Sequence, residues 1–483
     1  MSKRDTAADV NLGWEVLSGT TARIILTIFG FVGTVVFSRS LGPTGFGGYT
    51  LLLAIVTIAI RPVDGYSEAA KKRFSEDVDE VTRGKILSSQ FVLIVASTIV
   101  AYVAVSLLDT HLVSYTEVDN APKFFIILFL TTGVFTLLID VADARGKVGV
   151  TNWLNTLKKI LLVIFQLLLV LSGFGISGMV LGDALGSIAV FPFLLYVIGV
   201  KPRWPSWNIF QNLWSYAKYS IPNSFLVNVY SKLDIFILGA ILSPDAAAYY
   251  EVAYRMASPA SLMSYVIGAA LMARVSTIRS HGKNETNDVR NALAFSSLIA
   301  FPMFFGALAL SNKIVVTVYG SEYQQAGMLL LGLSVYQIIQ SQTVTLLAAV
   351  RGLDRPDMIT GISTVALGLN IILGIALTQH IGPIGVVIAT ILAEALRYVG
   401  LVVFVSRSIP FSTLFPKQIG EQFVSALIMF ASIMLVLQLI SVQSWISLGA
   451  IIGFGATVYF GTLVGISASF RLTARSSLPK IGL

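Results

Sequence analysis

The sequence predicts an all-α, polytopic membrane protein with about fourteen transmembrane helices. Three observations predict it. Charge is scarce: 12% of the 483 residues are charged and 55% are hydrophobic, where a soluble domain carries about 25% charged residues. The mean hydropathy is +0.81. The apolar runs are continuous, as in Phe124 to Leu138 and Ile160 to Leu171, not alternating as a membrane β-barrel requires. In lipid a helix satisfies its own backbone, so such runs are read as spanning helices. Third, the segments between runs alternate in basic content along the whole chain, as the two sides of a membrane do.

A span needs about 20 mostly apolar residues. The first expected helix, Val16 to Ser38, ends at the Leu41-Gly42-Pro43 turn, and the second, Gly45 to Gly65, ends before Lys71, Lys72 and Arg73. Lys85 to Leu108, Ala121 to Asp143, Asn152 to Gly173 and Gly175 to Ile198 follow, divided by polar or glycine-bearing turns. These six form an expected lobe over residues 1–200. Residues 201–212, with Trp204 and Trp207, read as a cytoplasmic linker lying along the membrane surface. A second six-helix lobe covers 213–407: Trp214 to Gly239, Ala246 to Met272, Asn291 to Leu310, Ala326 to Val350, Met358 to Thr378 and Pro383 to Val405. The seventh and tenth helices are the least apolar and are expected to bend or to line a cavity. Gln422 to Ile440 and Ser444 to Ile466 form an added pair within 408–483.

With the N-terminus in the cytoplasm, the inner segments hold most of the basic residues, among them Lys71 to Lys85, Arg145 and Lys147, Lys201 and Arg203, Arg274 to Arg290, Arg351 and Arg355. The outer segments hold only Arg39, Lys123 and Lys313. The alternation persists to the C-terminus, so both termini are expected in the cytoplasm of a prokaryotic cell membrane. Trp14, Trp153, Trp204, Trp207 and Trp214 fall at the same inner interface, where amphipathic rings are favoured. The stretches LGPTGFGGY from Leu41 and LSPDAAAYY from Leu242 share Leu, Pro and a final Tyr at corresponding turns. Six helices per half give two parallel repeats, an arrangement that encloses a central site and works by alternating access.

These turns resemble the polysaccharide-transporter branch of the multidrug/oligosaccharidyl-lipid/polysaccharide exporter superfamily, which contains the O-antigen-type flippases. LGPTGFGGYTLL at Leu41 to Leu52 looks like the first outer turn of that family. LDIFILGAILSPDAAAYYEVAYRM, Leu233 to Met256, looks like its passage from helix 7 to helix 8. YGSEYQQAGMLLLGLS from Tyr319 and LNIILGIALTQHIGPIGVVIAT from Leu369 look like the start of helix 10 and the helix 11–12 turn. Ala246-Ala247-Ala248 departs from the family, where a glycine is usual. The resemblance implies a MATE-like fold: two six-helix bundles around a cavity, with helices 13 and 14 beside it near a place for a lipid tail. It also implies export of a polyprenyl- or dolichyl-linked sugar to the outer leaflet. The partners implied are a lipid-linked glycan, membrane lipids, and glycosyltransferases or a polymerase of the same pathway.

Ionisable residues inside spans usually face a cavity or a partner. Arg23, Arg61 and Arg255 lie in expected helices 1, 2 and 8, which the resemblance places at the cavity. Related peptidoglycan-precursor flippases carry cationic cavity residues on these helices. A guanidinium suits the phosphate of a lipid-linked sugar because it is always charged, planar and bidentate. Pairing is the competing reading: Glu251 precedes Arg255 by four residues and Asp64 follows Arg61 by three, both helical spacings. Glu394 and Arg397 are expected to pair likewise. Asp183 has no evident neighbour and reads as an ion-coupling group or a partner of a Ser or Thr. Gly178, Gly182 and Gly186 around it argue for close helix packing. Lys158 and Lys159 are expected to snorkel to the inner surface.

The absence of cysteine excludes disulfides, thiol catalysis and thiolate metal sites. His111, His281 and His380 are far apart in sequence and read as loop residues, so no metal centre or cofactor is expected. The formal charge of +8 reports topology and not nucleic acid. No cleavable signal is visible, and the Asn284-Glu285-Thr286 sequon falls on the cytoplasmic side. A cation-coupled drug exporter of the same fold is the alternative function. It is disfavoured by four basic residues (Arg23, Arg61, Lys232, Arg255) against three acidic ones (Asp64, Asp234, Glu251) on helices 1, 2, 7 and 8. A membrane glycosyltransferase would need a larger outer loop than Asp109 to Asn120, and no G-x-x-x-x-G-K-[ST] motif is present for ATP hydrolysis.

Overall fold

The computed structural model describes residues 12–76, 79–280, 286–440, 442 and 444–477. Among the described residues the regular elements are all helices, joined by turns and short irregular segments. The chain divides into two compact units, Met1–Lys232 and Leu233–Leu483.

The first unit holds α1 (Leu12–Ala59), α2 (Arg61–Ser75), α3 (Glu80–Leu107), α4 (Asp109–Thr116), α5 (Ala121–Ala144), α6 (Val148–Leu169), α7 (Gly175–Ile198) and most of α8 (Trp207–Ile241). Helix α1 is two helices joined at Gly42, whose φ of 67° breaks the helical path immediately before Pro43. Only glycine takes that conformation without strain, so the LGPTG turn divides the two expected spans. The second expected span does not stop at Gly65. It continues through α2 to Ser75 because Val63, Tyr66, Ala69, Ala70 and Phe74 give α2 one buried face. Phe74 is fully buried, with the Arg83 and Arg145 guanidiniums 5.8 and 5.6 Å from its ring centroid. Arg145 grips Glu80 through two 3.0 Å bonds. Helices α6 and α7 touch through small residues: a Cβ on Gly182 would meet the Gln166 backbone N at 2.6 Å, and one on Gly186 the Leu162 Cα at 2.7 Å.

The second unit holds α9 (Pro244–Ala257), α10 (Leu262–Ser280), α11 (Thr286–Ser296), α12 (Ala300–Tyr319), α13 (Ala326–Gly352), α14 (Pro356–Ile381), α15 (Pro383–Val405), α16 (Phe411–Leu414), α17 (Lys417–Leu439), α18 (Trp445–Ile466) and α19 (Ala468–Ser477). The expected eighth helix is interrupted by a 3-10 turn at Ser258–Ser261, which contains Pro259. The expected ninth is broken between Ser296 and Ala300. That break frees backbone carbonyls, and side chains from three other helices take them. Gln342 of α13 donates to the Leu293 carbonyl at 3.3 Å, Gln422 of α17 to Ala294 at 2.6 Å, and Tyr459 of α18 to Leu298 at 2.9 Å. Ser297 links Gln342 to Gln422. The added pair α17–α18 is therefore fastened to α11 and the break by polar bonds, and to α12 by the packing of Phe305 with Met429 and Ile433. The expected tenth helix is weakly apolar because α13 is mostly buried against protein; it runs unbroken from Ala326 to Gly352, and its Leu330 and Ser334 line an apolar cavity.

Among the described residues, eleven helical stretches are long and apolar enough to cross a membrane, so this is a multi-pass membrane protein. Val148–Ile198 contains two of the expected spans, and Phe29–Ala59 overlaps two more. The expected seventh lies in α8, which runs from Trp207 to Ile241.

Candidate functional site

In the first unit Arg61 is tied down twice. Its Nε donates to the Thr57 carbonyl at 2.5 Å and its Nη1 lies 2.5 Å from Asp64 Oδ2. Both side chains are largely buried, at 17% and 16% exposure. Two turns on, Lys71 lies 2.7 Å from Asp143 Oδ2 and 3.6 Å from Asp140 Oδ1 on α5. The Thr151 hydroxyl also donates to Asp143. The helical spacing predicts the Arg61–Asp64 pair; the contacts of Lys71 with Asp140 and Asp143 are not legible from spacing, because they join positions 69 and 72 residues apart. Arg23 lies on α1, with its side chain outside the described residues.

Asp183 does have a neighbour. Lys158 of α6 is within electrostatic reach of it, and the Lys158 ammonium sits 3.9 Å from the centroid of Phe135 on α5. Lys158 therefore points inward and does not snorkel. The reason is that α6 packs this face on α5 and α7, where a carboxylate and an aromatic face both favour the cation. Lys159, next along the helix, is exposed.

In the second unit Arg255 Nε lies 2.5 Å from Glu251 Oε1; the arginine side chain is 43% exposed and the glutamate 10%. Arg397 and Glu394 pair at 2.9 Å with 12% and 1% exposure. Both pairs follow the helical spacing. Glu394 belongs to the packing of α15, whereas Arg255 keeps a substantial open face.

Sequence reading treated Asp234 only as part of a charge balance. The fold makes it the centre of an oxygen-rich site in the second unit. The Tyr250 hydroxyl donates to its Oδ2, and the Thr390 hydroxyl reaches the same oxygen at 2.9 Å. Asn370 of α14 is adjacent. Asp234 Oδ1 and Asn370 Oδ1 are buried without a hydrogen-bond partner. A buried carboxylate with an amide and two hydroxyls beside it suits a proton or a small hard cation. The signal in the sequence was the lone Asp in LDIFILGAI facing the lone Asn in LNIILGIAL; only packing shows that they meet.

Comparison with known proteins decides the family. The polysaccharide biosynthesis protein family matches residues 36–328. The chain belongs to that family. Among curated proteins, it is 29% identical over 418 residues to the probable low-salt glycan biosynthesis flippase Agl15 of Haloferax volcanii, covering 84% of this chain and 86% of that one. It is 26% identical over 413 residues to the probable flippase AglR of the same organism, covering 84% and 85%. Among solved structures, the lipid II flippase MurJ in an inward closed conformation has a TM-score of 0.74 at 18% identity, over 95% of this chain and all of that one. An inward-facing MATE multidrug transporter has a TM-score of 0.61 at 14% identity, over 80% of this chain and 95% of that one. The fold of this family member is thus MATE-like, as the turn motifs implied.

Proposed function

We propose that this chain is a flippase that moves a polyprenyl- or dolichyl-linked sugar or oligosaccharide from the inner to the outer leaflet by alternating access. The observation that carries the reading is the similarity to two probable glycan flippases over 84% of the chain. In this reading Arg23, Arg61 and Arg255 meet the phosphate at the lipid–sugar junction. Arg255 supports it most directly, through its 43% exposure. A lipid tail fits the apolar cavity of about 330 Å³ in the second unit, lined by Met303, Leu330, Ile433 and Tyr459 among others. Glycosyltransferases or a polymerase would supply and consume the substrate.

The test is transport of lipid-linked glycan in proteoliposomes. The expected result is glycan exposed on the far leaflet with its mass unchanged. Cleavage or sugar addition by the purified protein overturns the transporter reading. The second reading, a cation-coupled exporter of small molecules, draws on the oxygen set at Asp234. It is preferred if a dye is moved and lipid-linked glycan is not.

In this reading the chain crosses the membrane fourteen times with both termini in the cytoplasm, with six helices in 1–200, the linker at 201–212, six in 213–407 and two in 408–483. Ser75, Ser114 and Ser321 are exposed. In this cysteine-free chain, single cysteines at Ser114 and Ser321 are expected to react with an impermeant maleimide in intact cells. Cysteines at Ser75 and Ser280 are expected to resist until the cells are opened. Equal labelling at Ser75 and Ser114 refutes the topology.

A further inference from the structure

The described part of the first unit contains a buried polar layer that the transport reading does not use. It lies where α2, α3 and α5 meet. Ile60, preceding α2, and Ile94 of α3 both close on Gly133 of α5, where a Cβ would meet their methyl groups at 3.2 and 2.3 Å. One helical turn away, Asp64 follows Ile60 and Gln90 precedes Ile94. The two helices run in opposite directions, as Tyr66 beside Ser89 confirms, so Asp64 and Gln90 share a level. Asp140 of α5 lies about one helical turn further on, at Ser67. It is within electrostatic reach of Asp64 and has the Ser67 hydroxyl beside it.

Two features of this layer point to a ligand. Gln90 is 0% exposed, and both its amide oxygen and its amide nitrogen lack a hydrogen-bond partner. Asp64 Oδ1 is buried and equally unpartnered. An amide left unsatisfied in a protein interior destabilises the fold, and an occupant that bonds to it removes that cost. The charges point the same way. Asp64, Asp140 and Asp143 face Arg61 and Lys71, three carboxylates against two cations. The neighbouring ionisable groups are engaged elsewhere. Lys72 lies over the Tyr216 ring of α8 at 4.5 Å, Arg83 and Arg145 hold Glu80, and Lys158 of α6 sits on Phe135 toward Asp183. Glu68 on α2 is exposed, and Tyr66 is buried with its hydroxyl at the edge of the layer.

We propose that Asp64, Gln90 and Asp140 form a buried site that takes up one monovalent cation, H⁺ or Na⁺. The single positive charge balances the third carboxylate, and the Gln90 and Asp64 oxygens accept it. For H⁺ the proton resides on Asp64 or Asp140 and is donated to the other or to the Gln90 oxygen. For Na⁺ the same oxygens coordinate it. The site differs from the oxygen set at Asp234, which belongs to the second unit.

The experiment uses the purified full-length chain in nanodiscs, with no glycan present. Infrared difference spectra across a pH titration report a protonated carboxyl, and equilibrium dialysis against radiolabelled Na⁺ reports bound sodium. The proposal expects one of the two signals in the protein with this layer unaltered. Asp64→Asn is expected to abolish that signal, and Gln90→Leu to weaken the occupancy roughly tenfold, the equivalent of one lost hydrogen bond to a charged group. All of these comparisons are made in an Asp234→Asn background, so that a cation held by the oxygen set of the second unit does not enter the signal. A titrating band with no sodium identifies H⁺; one bound sodium per chain identifies Na⁺. The proposal is overturned if neither signal appears, or if Asp64→Asn and Gln90→Leu, shown folded by an unchanged thermal transition, retain it in full.

Discussion

Replacing Arg255 by Ala is expected to lower the appearance of glycan on the outer surface by roughly 10- to 100-fold at matched protein level, the worth of a charge-assisted bond lost in a poorly hydrated place. Arg23→Ala is expected to act in the same direction. Lys in either position rescues only part, because it keeps the charge and loses the planar fork. The geometry makes Arg255 the more informative position. Its Nε side is held by Glu251 at 2.5 Å, while 43% of the side chain remains exposed. The pair can therefore be a means of aiming the guanidinium or an end in itself, and the two roles separate in a double variant. If neutralising Glu251 is the whole task of Arg255, Glu251→Gln with Arg255→Gln restores what Arg255→Gln removes. If the arginine holds phosphate, the double variant stays inactive, since removing a carboxylate does not supply a cation. Full activity of both Arg→Ala variants, or clean rescue by the double neutral variant, ends the phosphate assignment.

Gly385→Ala is expected to be the most damaging small substitution in the second unit. Helices α14 and α15 turn back on each other through Gly382, whose φ is 69°. Three residues later they are in backbone contact. A Cβ on Gly385 would lie 2.4 Å from the Leu377 carbonyl carbon and 2.5 Å from its oxygen. Backbone cannot swing aside as a flexible side chain does, so the helices must part along their length. Overpacking of this kind costs about 1–3 kcal/mol, occasionally more. A fall in thermal transition temperature in detergent is expected, together with poorer yield from the membrane. Gly361 and Gly368 on α14 have open space where a Cβ would stand, and alanine there is expected to change the transition little. Equal stability of Gly385→Ala and Gly368→Ala would refute the close approach of these two helices.

The ion pairs show how far the sequence reaches. Arg61–Asp64, Glu251–Arg255 and Glu394–Arg397 are three or four residues apart and were legible as pairs, because helical geometry alone brings those positions together. Lys71 with Asp140 and Asp143, Lys158 with Asp183, and Asp234 with Thr390 were not legible. Their partners come from other helices, in the last case 156 residues away. Asp183 was read as solitary for that reason, and Lys158 as snorkelling.

By itself the sequence determined that the chain crosses a membrane repeatedly as α-helices, and where most crossings start and stop. Those properties follow from the cost of exposing backbone and charge to lipid, which acts residue by residue. It also determined the breaks at Gly42-Pro43 and Gly382-Pro383, since φ preferences are local. Only the tertiary structure decided which buried polar groups converge: the oxygen set around Asp234, the carbonyl clasp of Gln342, Gln422 and Tyr459 on the broken ninth span, and the layer of Asp64, Gln90 and Asp140. A polar side chain in a span must find a partner, but hydropathy is blind to direction. Which partner it finds is set by the packing of whole helices against one another.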